Sequence, residues 1–268
     1  MRLSQQRQLH PRLFAAFRHG ADRDAPDRRR GMSRVAAIDA TASRSLVERA
    51  MEMVRDHIRT HDLKVGDSLP GEGSFAVQMG VSRPVMREAF GALAALRLVD
   101  VGNGRRPRVA AIDGSAMAAS LGHAINTAQV SLADVWDVRR TLELRTAELA
   151  ALNRSDDQAR VISAAAHRLA VDRDEGARTA ADTEFHQVIA AASGNPLFYQ
   201  IICSFEEMMA RAVPRAWQER ALPEERAESL TLHHEVADAI AAREPARARA
   251  AMERHFANSV GERLRDAR

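Results

Sequence analysis

The sequence predicts a mainly α-helical chain in two parts: a small three-helix unit closed by a β-ribbon, then an all-helical bundle. Three observations point there. Aromatic residues make up only 4% of the 268 residues while alanine is abundant. That favours packed helices, because alanine is the strongest helix former and β-rich cores draw on branched and aromatic residues. Apolar residues recur at helical spacing through most of the chain after residue 43. The ribbon-like stretch 98–110 directly follows the third helical pattern.

Charge divides the chain in the same way. Residues 1–42 hold nine basic and four acidic residues, 43–110 hold eleven and eight, and 111–268 hold 19 and 24. A basic front and an acidic back imply that the front meets a polyanion. Residues 1–42 read as a basic extension outside the folded domains, with Met32 before a more ordinary start. The apolar stretch around Leu13 to Phe17 is too short for the core of a secretory signal. No run of about 18 apolar residues exists, so no membrane partner is expected. The lone cysteine, Cys203, excludes an intramolecular disulfide framework and fits a reducing cytoplasm.

The first helix is expected from an N-cap at Ser43, with Leu46, Ala50, Val54 and Ile58 as its apolar stripe. A turn at 61–67 ends it. A second short helix runs from about Gly71 to Met79, and Gly80 supplies the tight turn. Ser82 caps a third helix with Pro84 in its first turn, where a missing N–H does no harm. Its buried stripe reads Val81, Val85, Ala89, Phe90 and Leu93. Leu98–Val101 and Arg108–Ala110 then flank Gly102-Asn103-Gly104-Arg105-Arg106-Pro107 as a ribbon with a basic tip. This order of elements is that of a winged helix-turn-helix over residues 43–110. Residues 111–268 read as helical throughout: Ser131 to Leu152, Ser155 to Val171, Ala177 to Ser193, Asn195 to about Arg220, Pro223 to Ala242, and Glu244-Pro245 to about Leu264. Short loops imply antiparallel neighbours in a bundle.

In a helix-turn-helix the second helix of the motif enters the major groove by its N-terminal residues. Here Arg83 and Arg87 share one face, and an arginine grips guanine O6 and N7 with two hydrogen bonds. The Ser82 hydroxyl and the amides of the helix start suit a phosphate. The predicted DNA-facing set is Ser82, Arg83, Pro84 and Arg87 on the helix, with Asn103, Gly104, Arg105 and Arg106 on the wing. Arg108 extends the basic tip. The segments Leu69-Pro70-Gly71-Glu72, Val81 to Ala89 and Gly102-Asn103-Gly104 resemble the GntR family of regulators. That resemblance implies a dimer on a short palindromic operator, with Ser82, Arg83, Arg87 and Gly104 at DNA-contacting positions. An arginine usually follows Glu72 in that family, and this chain has Gly73, so the resemblance does not carry over the phosphate contact at that position.

A second constellation lies in the acidic half. Asp182 and His186 are four residues apart, so a helix points them the same way. His233 and His255 each stand eleven residues from Glu244, so a closed hairpin brings their imidazoles to one level. Three imidazoles and a carboxylate suit Zn²⁺, Ni²⁺, Fe²⁺ or Mn²⁺. His10, His19, His57, His61, His123 and His167 read as surface or core residues, and His234 points about 100° away from its neighbour. Val135 to Glu143, Asp182 to His186, Gly194-Asn195-Pro196 and His233 to His255 resemble the FadR-type ligand-binding domain, FCD, over about 131–256. The resemblance implies that Asp182, His186, His233 and His255 bind a divalent metal. It also implies that Arg139 faces the same cavity, where its guanidinium suits a ligand carboxylate; the alternative is a helix-surface ion pair with Glu143. Asn195 is the further ligand-binding candidate.

The function expected from these features is a transcription regulator, a repressor by resemblance, controlled by a small organic-acid or sugar-acid effector at the metal. In a rival reading the metal is itself the signal. An enzyme is not expected, because no general base accompanies the cluster: Glu184 lies two residues from both Asp182 and His186. An architectural protein, the last rival, would lack sequence preference.

Overall fold

The fold is that of a computed structural model, which describes residues 34–102, 104–171, 174–210, 214 and 223–258, by backbone alone at 34–45 and 175. Helix α1 (Arg34–Thr60) begins at Arg34 rather than at Ser43. Residues 34–42 are alanine-rich and contain neither glycine nor proline, so helix propensity continues upstream of the expected cap. The rest of the predicted extension, residues 1–33, lies outside the described residues. Ala50 and Val54 are fully buried as expected, whereas Leu46 is exposed.

Helix α2 (Glu72–Met79) ends at Gly80, whose φ of 65° lets its N–H reach back to Ala76 O and Val77 O. Helix α3 (Arg83–Ala95) starts at Ser82, whose hydroxyl accepts from Val85 N. Its core face is Met86, Ala89, Phe90 and Leu93, the spacing of a helical stripe. Val81 and Val85, expected in that stripe, are only partly buried. The rings of Phe75 and Phe90 meet edge to face at 5.9 Å and join α2 to α3.

Strands β1 (Val99–Asp100) and β2 (Arg108–Val109) pair antiparallel, Val99 opposite Val109. Strand β2 is held on its other side too. Gly66 N donates to Val109 O at 2.9 Å, and Val109 N donates to Asp67 O at 2.9 Å. Leu69 N donates to Pro107 O at 2.8 Å. The stretch that reads from sequence as a plain turn therefore anchors the wing.

The second part consists of α4 (Ser115–Asn126), α5 (Leu132–Asn153), α6 (Asp156–Val171), α7 (Glu175–Ala192), α8 (Pro196–Cys203), α9 (Pro223–Ala241) and α10 (Pro245–Ala257). Its helix starts follow the sequence. Ser131 and Asp134 form a reciprocal capping box on α5. The Ser155 hydroxyl accepts from Gln158 N, and Gln158 Oε1 accepts from Ser155 N. Asp174 caps α7. Helix α5 packs against α7, α9 and α10.

Two elements differ from expectation. Helix α4 is a separate element that the sequence reading does not single out; it has no fully buried residue, and only Leu121 and Ile125 lean on the core. Helix α8 stops at Cys203 instead of running to about Arg220. There the Ser204 N–H is shared between Gln200 O and Ile201 O, and its hydroxyl donates to Ile201 O at 2.6 Å. A hydroxyl turned onto its own preceding turn competes with the helix ladder. Helix resumes at 206–210; most of 211–222 and all of 259–268 lie outside the described residues.

Candidate functional site

The first candidate surface is the start of α3. Ser82, Arg83, Pro84 and Arg87 are all exposed there, opposite the core stripe. The Arg83 guanidinium lies across Gly73, where an added Cβ would stand 3.6 Å from Arg83 Nε. The space left by the missing side chain at 73 is thus taken by Arg83. On the wing, Gly104 adopts a φ of 74°, and Gly104, Arg105 and Arg106 are exposed. Arg105 Nη2 is 3.4 Å from Asp100 Oδ2, an exposed pair that water screens. Asn103 lies outside the described residues. Arg108 is exposed, and its Nη1 donates to Gly66 O at 2.6 Å, fastening the wing to the turn before α2.

The second candidate is buried in the bundle. Helix α7 carries Asp182 and His186, α9 carries His233, and α10 carries His255. The α9–α10 hairpin closes through Arg243, at a φ of 57°, and Glu244 N donating to Ala239 O. That closure sets the His233 and His255 ring centroids 4.3 Å apart. His186 and His255 centroids are 5.1 Å apart. One nitrogen from each of the three rings lies within 4.8 Å of the others, and all three residues are buried. Asp182 faces the same point: its Oδ1 is 3.3 Å from His233 Nε2 and its Oδ2 is 4.0 Å from His186 Nε2. The four residues singled out from sequence do meet.

The ring orientations bear on whether this set fits a metal. His233 Nδ1 stands 2.7 Å from Ser229 O; a carbonyl only accepts, so Nδ1 carries the proton. Its Nε2 then presents a lone pair, is fully buried, and makes no hydrogen bond; the Asp182 oxygen is near but not aligned. His186 Nδ1 bonds Glu143 Oε2. A carboxylate or carbonyl on the far nitrogen is how metal-ligating imidazoles are oriented. An orphaned buried nitrogen beside two imidazoles and a carboxylate is a donor set that fits a divalent transition metal.

Burial alone would raise the Asp182 pKa, but nearby positive charge, from the imidazoles when protonated and from Arg139, lowers it. Burial also opposes ionisation of Glu143, and Arg139 and His186 reverse it, lowering its pKa.

Arg139 is inside, as one sequence alternative requires, but its partner is the residue named by the other. It is 2% exposed, its Nε bonds Glu143 Oε1, and Glu143 is fully buried, so the pair is not on the surface. The guanidinium also stands 5.3 Å from the Trp136 ring centroid and 5.8 Å from that of Phe256. Asn195 differs from expectation: it is exposed, and its Oδ1 caps α8 by accepting from Leu197 N at 3.0 Å. Sequence reasoning misses Glu143 as a partner of His186. The only signal is its place four residues after Arg139, which reads equally as a surface pair. Glu184 points outward to Arg168 at 2.5 Å, away from the cluster. A surface depression beside α7, lined by Thr179, Thr183, Gln187 and Glu206, contains none of the converging nitrogens, so the chemistry belongs to the buried centre.

A winged helix-turn-helix joined to a helical bundle with an internal histidine cluster defines a DNA-binding transcription regulator with an effector domain. Residues 46–109 match the bacterial regulatory proteins of the gntR family, and residues 134–258 match the FCD domain. The chain thus carries a GntR-family DNA-binding domain followed by an FCD domain. The HTH-type transcriptional repressor NanR of Salmonella newport is 29% identical over 243 residues, covering 89% of this chain and 93% of that protein. NanR of Salmonella typhimurium is 29% identical over the same length, covering 92% of that protein. The solved structure of Streptococcus agalactiae GntR matches with a TM-score of 0.61 at 25% identity, covering 81% of this chain and 99% of that one. These relatives are regulators, not enzymes. No helix among the described residues is long and apolar enough to cross a membrane.

Proposed function

We propose that this chain is a cytoplasmic, homodimeric repressor whose operator affinity is controlled by a small organic-acid or sugar-acid effector at a divalent metal in the bundle. Each protomer sets α3 into one operator half-site, with Ser82, Arg83, Pro84 and Arg87 at the groove and Asn103, Gly104, Arg105 and Arg106 of the wing on flanking DNA. The repressor assignment is supported by the NanR relatives, which are transcriptional repressors. The metal would be held by Asp182, His186, His233 and His255. The observation that carries this reading is His233 Nε2, a buried lone pair with no hydrogen bond, turned toward two other imidazoles.

Charge supports an anionic effector. Arg139 and a dication bring three positive charges into the bundle; Glu143 and Asp182 return two. One positive charge remains uncompensated, and a carboxylate would neutralise it where burial makes imbalance costly. When bound, the metal supplies a Lewis-acidic anchor for that carboxylate. This chain's own residues orient the ligand rings and exclude water.

The test is operator binding by fluorescence anisotropy, with chelator-treated and metal-reloaded protein, against a panel of hydroxy-acids and sugar acids. An acid that weakens operator binding only in the metal-loaded protein supports the reading. Operator affinity that follows metal alone, with no acid responding, would assign the signal to the metal and overturn it.

A further inference from the structure

We infer that Glu143 is the positioning residue of this centre: one buried carboxylate fixes the ring of His186 and holds Arg139, so that ion affinity and anion recognition both depend on it. The inference rests on the metal reading above and adds to it a residue outside the ligand set.

Glu143 lies on α5, fully buried, and reaches across to α7. Its two oxygens are divided. Oε2 serves His186 Nδ1, and Oε1 serves Arg139 Nε. The division has a consequence for each partner. A carboxylate accepts and cannot donate, so the His186 proton is held on Nδ1 and the lone pair on Nε2, the nitrogen nearer Asp182. Arg139 is fixed by Glu143 through its Nε edge and by the Trp136 and Phe256 rings. Its Nη1 donates to Met209 Sδ, which leaves Nη2 for an incoming anion.

Replacing Glu143 by glutamine keeps the shape and removes one acceptor. The amide has a single oxygen, which can take only one of the two positions from which Oε1 and Oε2 serve Arg139 and His186. Arg139 is the stronger donor, being always charged, so the oxygen turns to it and the amide NH₂ faces His186 Nδ1. That arrangement forces the proton onto Nε2, where it blocks the metal lone pair. Removing the cation as well lets the amide oxygen return to His186.

The experiment uses the full chain with ¹⁵N-labelled histidine. The His186 tautomer is read by NMR on metal-free protein, and Zn²⁺ affinity by competition with a chromophoric chelator. Wild type should show the Nδ1–H tautomer. Glu143→Gln should shift His186 to Nε2–H and weaken Zn²⁺ binding about ten- to a hundredfold. Arg139→Met combined with Glu143→Gln should restore both readings. Arg139→Met combined with Glu143→Leu, which leaves no acceptor, should not. If Glu143→Gln does not fold, the two double variants decide, since neither contains the buried ion pair. An unchanged tautomer in Glu143→Gln, or double variants that bind Zn²⁺ alike, would overturn the inference. Absence of Zn²⁺ binding in wild type would count against the metal reading alone, because the tautomer is measured without metal.

Discussion

His233 donates its Nδ1–H to the carbonyl oxygen of Ser229, one turn earlier on the same helix, at 2.7 Å. That bond fixes which nitrogen of the ring is free, and it aims the free one at Asp182 and the other imidazoles. A lone pair with no donor in the middle of a bundle is unfavourable by itself, because a buried acceptor loses its hydration without compensation. An ion at that point would remove the cost.

Metal removal should therefore destabilise the bundle. A ligand present at about 100 times its Kd adds about 2.7 kcal/mol to the folded state. Chelation should lower the thermal midpoint, and Zn²⁺ or Ni²⁺ should restore it. His233→Ala should bind metal weakly and show no such restoration; a metal-dependent midpoint in that variant would exclude His233 from the ligand set.

Arg83 and Arg87 stand exposed at the start of α3 while the opposite face builds the core. Replacing both by alanine should remove sequence preference, at about 1–3 kcal/mol for each bidentate arginine–base pairing removed. Fold and metal content should stay intact. Competition between operator and random DNA measures the effect, and preserved preference would mean that another element reads the bases.

Gly73→Arg should supply the phosphate contact that the GntR resemblance assigns to an arginine after Glu72. The new guanidinium would displace Arg83 from its place over residue 73. Affinity should rise on all DNA sequences, and the slope of log K against log salt should steepen by about one unit. An unchanged slope would show that residue 73 does not face the backbone.

Phe90 is fully buried and meets Phe75 edge to face at 5.9 Å. Phe90→Ala should destabilise the winged helix by about 3–5 kcal/mol and leave the bundle folded. A two-step melt with only the earlier step shifted is the expected trace.

Where the sequence is readable, local chemistry decides the outcome. Ser82 with Pro84, Gly80, Ser131 with Asp134, and the break before Pro245 each act within a few residues, so helix starts and turns can be placed. The histidine cluster is legible because the spacing of Asp182 and His186 and the symmetry of His233 and His255 about Glu244 are both short-range facts. Glu143 is not legible, since its link to His186 crosses 43 residues and its spacing from Arg139 fits a surface pair as well as a buried one. Asn195 reads as a ligand contact, but its Oδ1 is already engaged by a local backbone N–H. The end of α8 at Cys203 has no periodicity signal, because apolar residues continue past it.

The most direct test of the central claim is X-ray absorption of the purified chain loaded with one equivalent of Zn²⁺ or Ni²⁺. Three imidazoles around the ion, at about 2.0–2.1 Å for zinc, with oxygen completing the set, is the predicted result, and His186→Ala should remove one of them. Oxygen ligands alone, or a ligand set unchanged in His186→Ala, would contradict it.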